Sequence, residues 1–515
     1  MKLNFKRISV WLGAACLIVS TVRTSAFALL GPVQPWMQVT NGVILPDDIG
    51  GPMALNCEYR WNVPVVTYGF DQSFLDYFGT NGVAAVESAI KILNDLPPAS
   101  SLVLTNFPLI SRSSKTTAAS FFDLKSETLS RLLEQLGLAP PLRNTFVVHD
   151  WNPIGFNWNS SSLIFTISGM PLTFESAPVG FDPWQQNTFP GMITNYVTGF
   201  NFDPETLAPC SFVNNAEYFG NIYCGTAGRY IDLQVLRVDP VALADTGVAD
   251  YSFLTGDYYS SLTRDDVGGL RYLLAATNLN YETLLPDVHG VDANGFVNGA
   301  WRPGVDKMTF VPQPTGSLPD TYRLLTNVFT DTYVVNGMVK QQQLQRVTTR
   351  PDFLFTTGND FARTGTTNWL NNAGLNSNPT GAGPGVIQPP VVITFQKLGG
   401  FFFSIEQEEF AKDNSVFFGS FDGSTNEPVV YPVPRTGDIA MTVRVMLSHE
   451  NSALNPFRTV EWSPTSQFGA VFAFQTSTNL SAWSTLFSVT NTGSLCIYES
   501  TCANSPSRFY RLQPQ

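Results

Sequence analysis

Charge is scarce in this chain. Asp, Glu, Lys and Arg make up 14% of its 515 residues, against roughly 25% in an average soluble protein. The 29 cations are outnumbered by 41 anions, for a net charge of −12, which excludes a surface that binds nucleic acid by neutralising phosphates. Histidine is scarcer still: His149, His289 and His449 are the whole complement. No His-Glu-x-x-His pair exists among them, so the commonest zinc-hydrolase motif is absent. Gly-x-Ser-x-Gly and Ser-x-x-Lys are also missing, and Gly419-Ser420-Phe421-Asp422-Gly423 has the wrong spacing, so serine hydrolase chemistry is unsupported. No Gly-x-Gly-x-x-Gly or phosphate loop follows a strand, and no cofactor is expected. What is abundant is Phe (39), Gly (40) and Pro (35), the composition of aromatic-filled sheets joined by many turns.

The longest apolar run stands at the start. Lys2, Lys6 and Arg7 precede a mainly apolar stretch from Ile8 to Val22, and Ala26-Phe27-Ala28 supplies small residues at cleavage positions. This is the pattern of a secretory signal, with cleavage expected between Ala28 and Leu29. The apolar stretch falls short of the ~20 residues a spanning helix needs, and no membrane span is expected in the mature chain. The expected location is therefore secreted or extracytoplasmic, in the periplasm or at the outer cell surface. Export permits disulfides, and short separations pair Cys210 with Cys224 and Cys496 with Cys502. Cys57 is left over and reads as a small buried apolar residue rather than a nucleophile.

Along the chain, Val63 to Tyr68 reads as a strand, and Asn81 can cap a helix over 82–96. A second helical pattern, Leu129, Leu132, Leu133 and Leu136, ends at Gly137, the position for a left-handed cap. The sharpest helical signal spans Leu262 to Leu274, where Thr263 and Asp266 form a capping-box pattern and Asp265 and Asp266 complement the helix dipole. Val334 to Val339 carries the Asn336-Gly337 hairpin signal. Asn, Gly and Pro crowd residues 371–390, which read as the main linker. Beyond it, strands at 391–395, 439–447, 468–476 and 509–512 give the pattern of a β-sandwich. The expected organisation is a signal peptide (1–28), an α+β domain (29–275), a connecting region of uncertain structure (276–370), the linker (371–390) and an all-β sandwich domain (391–515).

Two stretches resemble known families. Phe474 to Trp483 with Arg508-Phe509-Tyr510-Arg511-Leu512 resembles the C-terminal β-module of secreted proteins from Verrucomicrobia and Planctomycetes, which implies an accessory role outside a bacterial cell. Arg60-Trp61-Asn62 through Tyr68, the helix from Gly82, and Leu262 to Leu274 resemble the ends of a matrixin-like metzincin, whose last helix often reads Leu-Ser-x-Asp-Asp-Ile-x-Gly-Ile. That family holds zinc with His-Glu-x-x-His and a third His. Here only His149 lies between the matching ends, and His449-Glu450-Asn451-Ser452-Ala453 has Ala453 where the second His belongs. The resemblance therefore implies a degenerate scaffold without catalytic zinc, and no metal ligand is assigned.

The remaining candidates are weak. His149-Asp150 follows the apolar Phe146-Val147-Val148 and could work as an acid/base pair at a strand end. Asp287, Asp292, Asn294 and Gly295 hint at a calcium loop, but aligned to an EF-hand they leave Gly290 and Trp301 at ligand positions. Glu406, Glu408 and Glu409 read as a solvated acidic face. Trp151, Trp158, Trp184, Trp301 and Trp369 are candidates for stacking on sugars. The function expected is non-catalytic binding or assembly at the cell exterior, with an extracellular polysaccharide or surface protein as partner and oligomeric state open. The alternative is a secreted hydrolase, peptidase-like or glycosidase-like, with a non-standard site.

Overall fold

The structure, a computed structural model, describes residues 25–37, 43–44, 48–119, 121–149, 163–167, 180–181, 196–224, 231–240, 247–250, 254–291, 295–316, 320–357, 364–367, 385–396, 417–431, 442–448, 457–463, 471–490, 496–501 and 509–515. These are mainly β-sheet, with three helices longer than one turn. No helix among them is long and apolar enough to cross a membrane.

Strand β1 (Phe27–Gly31) is buried throughout. It pairs antiparallel with residues 51–53, 138–139 and 201–202, and Phe27 stacks on Tyr272 with ring centroids 5.4 Å apart. The expected cleavage bond, Ala28–Leu29, therefore lies inside a core strand. A cut there removes Phe27 and Ala28 from the sheet, so a cut that keeps the sheet whole falls upstream of Phe27. We expect N-terminal sequencing of exported protein to start at or before Phe27; a start at Leu29 contradicts this placement.

Strand β2 (Val65–Phe70) leads directly into α1 (Gln72–Asn94). The helix starts ten residues before the expected one. Its N-cap is Asp71, whose carboxylate accepts from the Phe74 amide at 2.9 Å, rather than Asn81. The added turns are held by an aromatic cluster: Phe74 packs on Phe70 and Phe78 at 5.0 and 4.7 Å, and Phe78 on Tyr431 at 5.0 Å. That burial carries the helix through an irregular residue, Gly79. Helix α2 (Leu124–Gln135) ends as expected before Gly137, which adopts φ 106°. Helix α3 (Arg264–Leu274) has the expected capping box, with Thr263 donating its backbone N–H to the Asp266 carboxylate at 2.8 Å. Asp265 is buried and accepts from the amides of Ala26 and Asn214 at 2.9 and 2.8 Å. Both aspartates thus tie the helix start to neighbouring loops.

Strands β3 (Asn280–Thr283), β4 (Val288–Gly290), β5 (Gly299–Arg302), β6 (Thr309–Pro312), β7 (Leu325–Val335), β8 (Met338–Thr348), β9 (Phe353–Thr357) and β10 (Val391–Phe395) complete two five-stranded sheets. One has the order β6-β2-β9-β10 with residues 365–367 at its edge; its first four strands run parallel. The other is antiparallel, ordered β3-β5-β7-β8-β4. This corrects the expected organisation. Strands from the expected connecting region and from beyond the linker pair with β2 in a single sheet, residues 385–386 pair with 59–60, and 417–419 pair with 121–123. The boundaries at 275 and 391 are crossed by hydrogen-bonded strands. Most of the expected linker lies outside the described residues. Further along, residues 442–448, 457–463 and 496–501 form one antiparallel sheet, and 471–477, 484–490 and 509–514 another.

Asp123, the N-cap of α2, is buried where residues 121–123 meet 417–419. Burial, outweighing hydrogen bonds from Ser126 and Phe421, raises its pKa from 3.8 to about 6. A raised carboxyl pKa means the folded state holds the proton more tightly, so this group's penalty is absent below pH 4 and grows as pH rises toward 6. Asp123→Asn keeps the cap and removes the titration. We expect the wild-type-minus-variant difference in unfolding free energy to fall by about 2–3 kcal/mol between pH 4 and 7, read by urea melts; a flat difference contradicts the shift.

Candidate binding surface

The antiparallel sheet β3-β5-β7-β8-β4 has two contrasting faces, because side chains alternate along each strand. Its inner face is charged and buried. Arg302 donates to the Asp331 carboxylate at 3.0 and 3.1 Å and to the carbonyls of Glu282, Asn298 and Val297 at 2.7–2.8 Å. Arg60 donates to Glu282 at 2.6 Å and to the Arg302 carbonyl at 2.8 Å. Arg346 joins Asp287 at 2.9 Å and Asp352, which also accepts from the Thr67 amide. Asp287 is thus an ion-pair partner, which accounts for one member of the suspected calcium loop; Asp292 and Asn294 lie outside the described residues. These pairs lock the sheet against β2 and β9.

The outer face carries no Asp, Glu, Lys or Arg from these strands. Tyr281 stands opposite Trp301, Trp301 opposite Val334, and Val334 opposite Val339, an aromatic and aliphatic row across four strands. Trp301 is 50% exposed, and Tyr281 meets it edge-on at 5.8 Å. Further along the same face Thr332 opposes Gln341, Thr330 opposes Gln343, and Gln345 sits between Val328 and the exposed His289. The Gln343 amide donates to the Thr330 hydroxyl at 2.8 Å. At strand spacings of about 4.8 Å and rises of about 3.3 Å per residue, the platform is roughly 14 Å across and 20 Å long.

Such a face has the parts a neutral sugar chain needs. An exposed indole offers an apolar plane to a pyranose ring, and the amides and hydroxyls beside it both donate and accept hydrogen bonds. Of the five tryptophans proposed for stacking, Trp301 is the one the described residues include. Tyr281 and the Thr/Gln ladder were missed. Their signal was present, since Thr326, Val328, Thr330 and Thr332 alternate in one strand, and Gln341, Gln343 and Gln345 in the next.

The other candidates are dispersed. His149 ends strand Val147–His149 with its backbone opposite Tyr196; its side chain and Asp150 lie outside the described residues, as do His449, Glu406, Glu408 and Glu409. Among the described residues no three His, Cys, Asp or Glu side chains are placed to hold a metal ion. Cys57 is half-buried, and burial followed by the nearby Glu58 raises its thiol pKa. The thiol of Cys210 lies 3.6 Å from the Ser25 carbonyl oxygen. Its neighbour Ser211 accepts from the Tyr218 amide, and Cys224 stands six residues further along the strand Ala216–Cys224. That is about 20 Å, beyond the ~7 Å that a disulfide spans between Cα atoms, so the structure does not bring Cys210 and Cys224 together. We expect unreduced peptide mapping to yield no Cys210–Cys224 cross-link; finding one contradicts this register. Cys496 opens the strand Cys496–Thr501, and Cys502 lies outside the described residues. No family model, curated protein or solved structure matches this chain.

Proposed function

We propose that this chain is a secreted, non-catalytic bacterial protein that binds a neutral extracellular polysaccharide on the outer face of its antiparallel sheet. The observation that carries this reading is an exposed Trp301, paired with Tyr281, at one end of a face whose strands contribute no Asp, Glu, Lys or Arg side chain. In a chain of net charge −12, such a face favours a neutral polymer over an anionic or cationic one. The signal pattern at 1–28 supports action outside the cell. The resemblance of the 60–275 region to a metzincin scaffold without its zinc ligands supports binding without hydrolysis. Similarly, the C-terminal resemblance supports a β-sandwich accessory module.

The test is partition of purified full-length protein onto neutral polysaccharides (cellulose, xylan, mannan, β-1,3-glucan) and charged ones (alginate, chitosan), with an assay for released reducing ends. The expected result is saturable retention on at least one neutral polymer, weaker retention on the charged ones and no reducing ends. Retention on none of the neutral polymers, or release of reducing ends, overturns the reading.

A further inference from the structure

Strand β7 is laddered along one side and open along most of the other. It pairs with β8 over its whole length, from Leu325 opposite Thr348 to Val335 opposite Met338, with no break in register. On the other side β5 reaches it at a single pair, Trp301 opposite Val334. The direction of the unpaired backbone follows from β8. There the Gln343 carbonyl and the Val347 N–H are turned away from β7, to Val291 and Asp287, so the even-numbered residues of β8 are the ones bonded to β7. Their partners in β7 are odd-numbered, and in an antiparallel ladder the residues between them point to the opposite side. Thr326, Val328 and Thr330 therefore aim their N–H and C=O groups at the open edge, where no backbone group among the described residues meets them.

Proteins usually guard such an edge with proline, lysine or a bulge. β7 has none of the three. Its three open residues are exposed, Val328 at 55%, and with Thr326 and Thr330 on either side the edge reads the same in both directions about Val328. We propose that this edge pairs antiparallel with the same edge of a second copy of the chain, on a twofold axis at Val328, to give one continuous ten-stranded sheet. In that register Val328 meets its own mate, Thr326 meets Thr330 of the second copy, Asn327 meets Phe329, and Leu325 meets Asp331. No like charges face each other. Each open residue gives and takes one backbone bond, six between the two copies, and the Val–Val and Thr–Thr neighbours on the outer face add to them. Because the edge is its own complement, the second copy fits it better than an unrelated extended peptide, and the twofold closes the assembly at two chains. Both outer faces then lie on one side of the joined sheet. The proposal does not depend on what that face binds.

The experiment is sedimentation equilibrium of the full chain over a range of concentrations, where the wild type should behave as a reversible dimer. Val328→Pro removes an N–H that β8 does not use, so it should abolish the dimer while circular dichroism reports the native fold. Val328→Lys sets two ammonium groups opposite each other and should weaken the dimer by about tenfold or more, and Val328→Glu should do the same. Mixing the Lys and Glu variants should restore association as a heterodimer. Under mild oxidation Val328→Cys should cross-link to itself at residue 328, since the Cα atoms of a bonded antiparallel pair stand about 5.5 Å apart. That readout stands even where the proline variant fails to fold. A monomeric wild type, an open-ended series of oligomers, a dimer that Val328→Lys and Val328→Glu leave unchanged, or no self-cross-link in Val328→Cys overturns the proposal.

Discussion

Replacing Trp301 by alanine is expected to weaken polysaccharide retention by roughly 10- to 100-fold, the loss of about 1.5–3 kcal/mol that follows truncation of an aromatic anchor. The argument rests on where the ring stands. Half of Trp301 faces solvent, and its ring contact with Tyr281 is edge-on, so the indole plane is available to a sugar and its removal leaves no internal cavity. The variant should therefore unfold at the same urea concentration as the wild type. Trp301→Phe keeps a smaller plane and should retain part of the affinity. Retention unchanged in the alanine variant removes the platform from the account.

The second large effect is on stability. Asp331→Ala is expected to lower the unfolding free energy by about 3–5 kcal/mol, because it leaves Arg302 buried without its counter-charge. Arg302 has 2% side-chain exposure and Asp331 6%, so water cannot take the place of the carboxylate. The remaining donors of Arg302 meet only backbone carbonyls, and Gln342, which donates to Asp331 at 2.7 Å and to the Val297 carbonyl at 2.9 Å, loses the first of these acceptors. Removing both charges is a different matter: Arg302→Met with Asp331→Leu should recover most of the loss, since a buried pair often does little better than apolar residues of similar volume. Urea melts of the single and double variants check this, and equal losses in both contradict it. Arg302 follows Trp301 on the opposite face of β5, so Asp331→Ala should also blunt polysaccharide binding at temperatures near its melting transition.

The features legible in the sequence are those with a local physical cause. The hairpin at Asn336-Gly337 was readable because its two-residue turn requires positive φ at both positions, and they adopt 51° and 72°. The α3 capping box was readable for the same reason, its partners being three residues apart. The parallel sheet was not. Its strands lie at 65–70, 309–312, 353–357 and 391–395, and an apolar run says that it will be buried without saying beside what. That gap produced the misplaced boundaries at 275 and 391. The early start of α1 was hidden because Asp71 and Asn81 are both good caps, and the choice is made by Phe74 and Phe78 packing on residues as distant as Phe395 and Tyr431. The binding face was half legible. Trp301 was a candidate, but its direction is set by an inversion of the usual pattern, in which Arg302 turns inward to Asp331 while the indole turns out.

The most direct test of the central claim is a footprint. Hydroxyl-radical labelling of the full chain, with and without the polysaccharide that retains it, should show protection at Tyr281, Trp301, Val334 and Val339, with little change around Phe472 and Phe474. Protection centred on His149 and Asp150, with Trp301 labelled as strongly as in the free protein, would contradict the account.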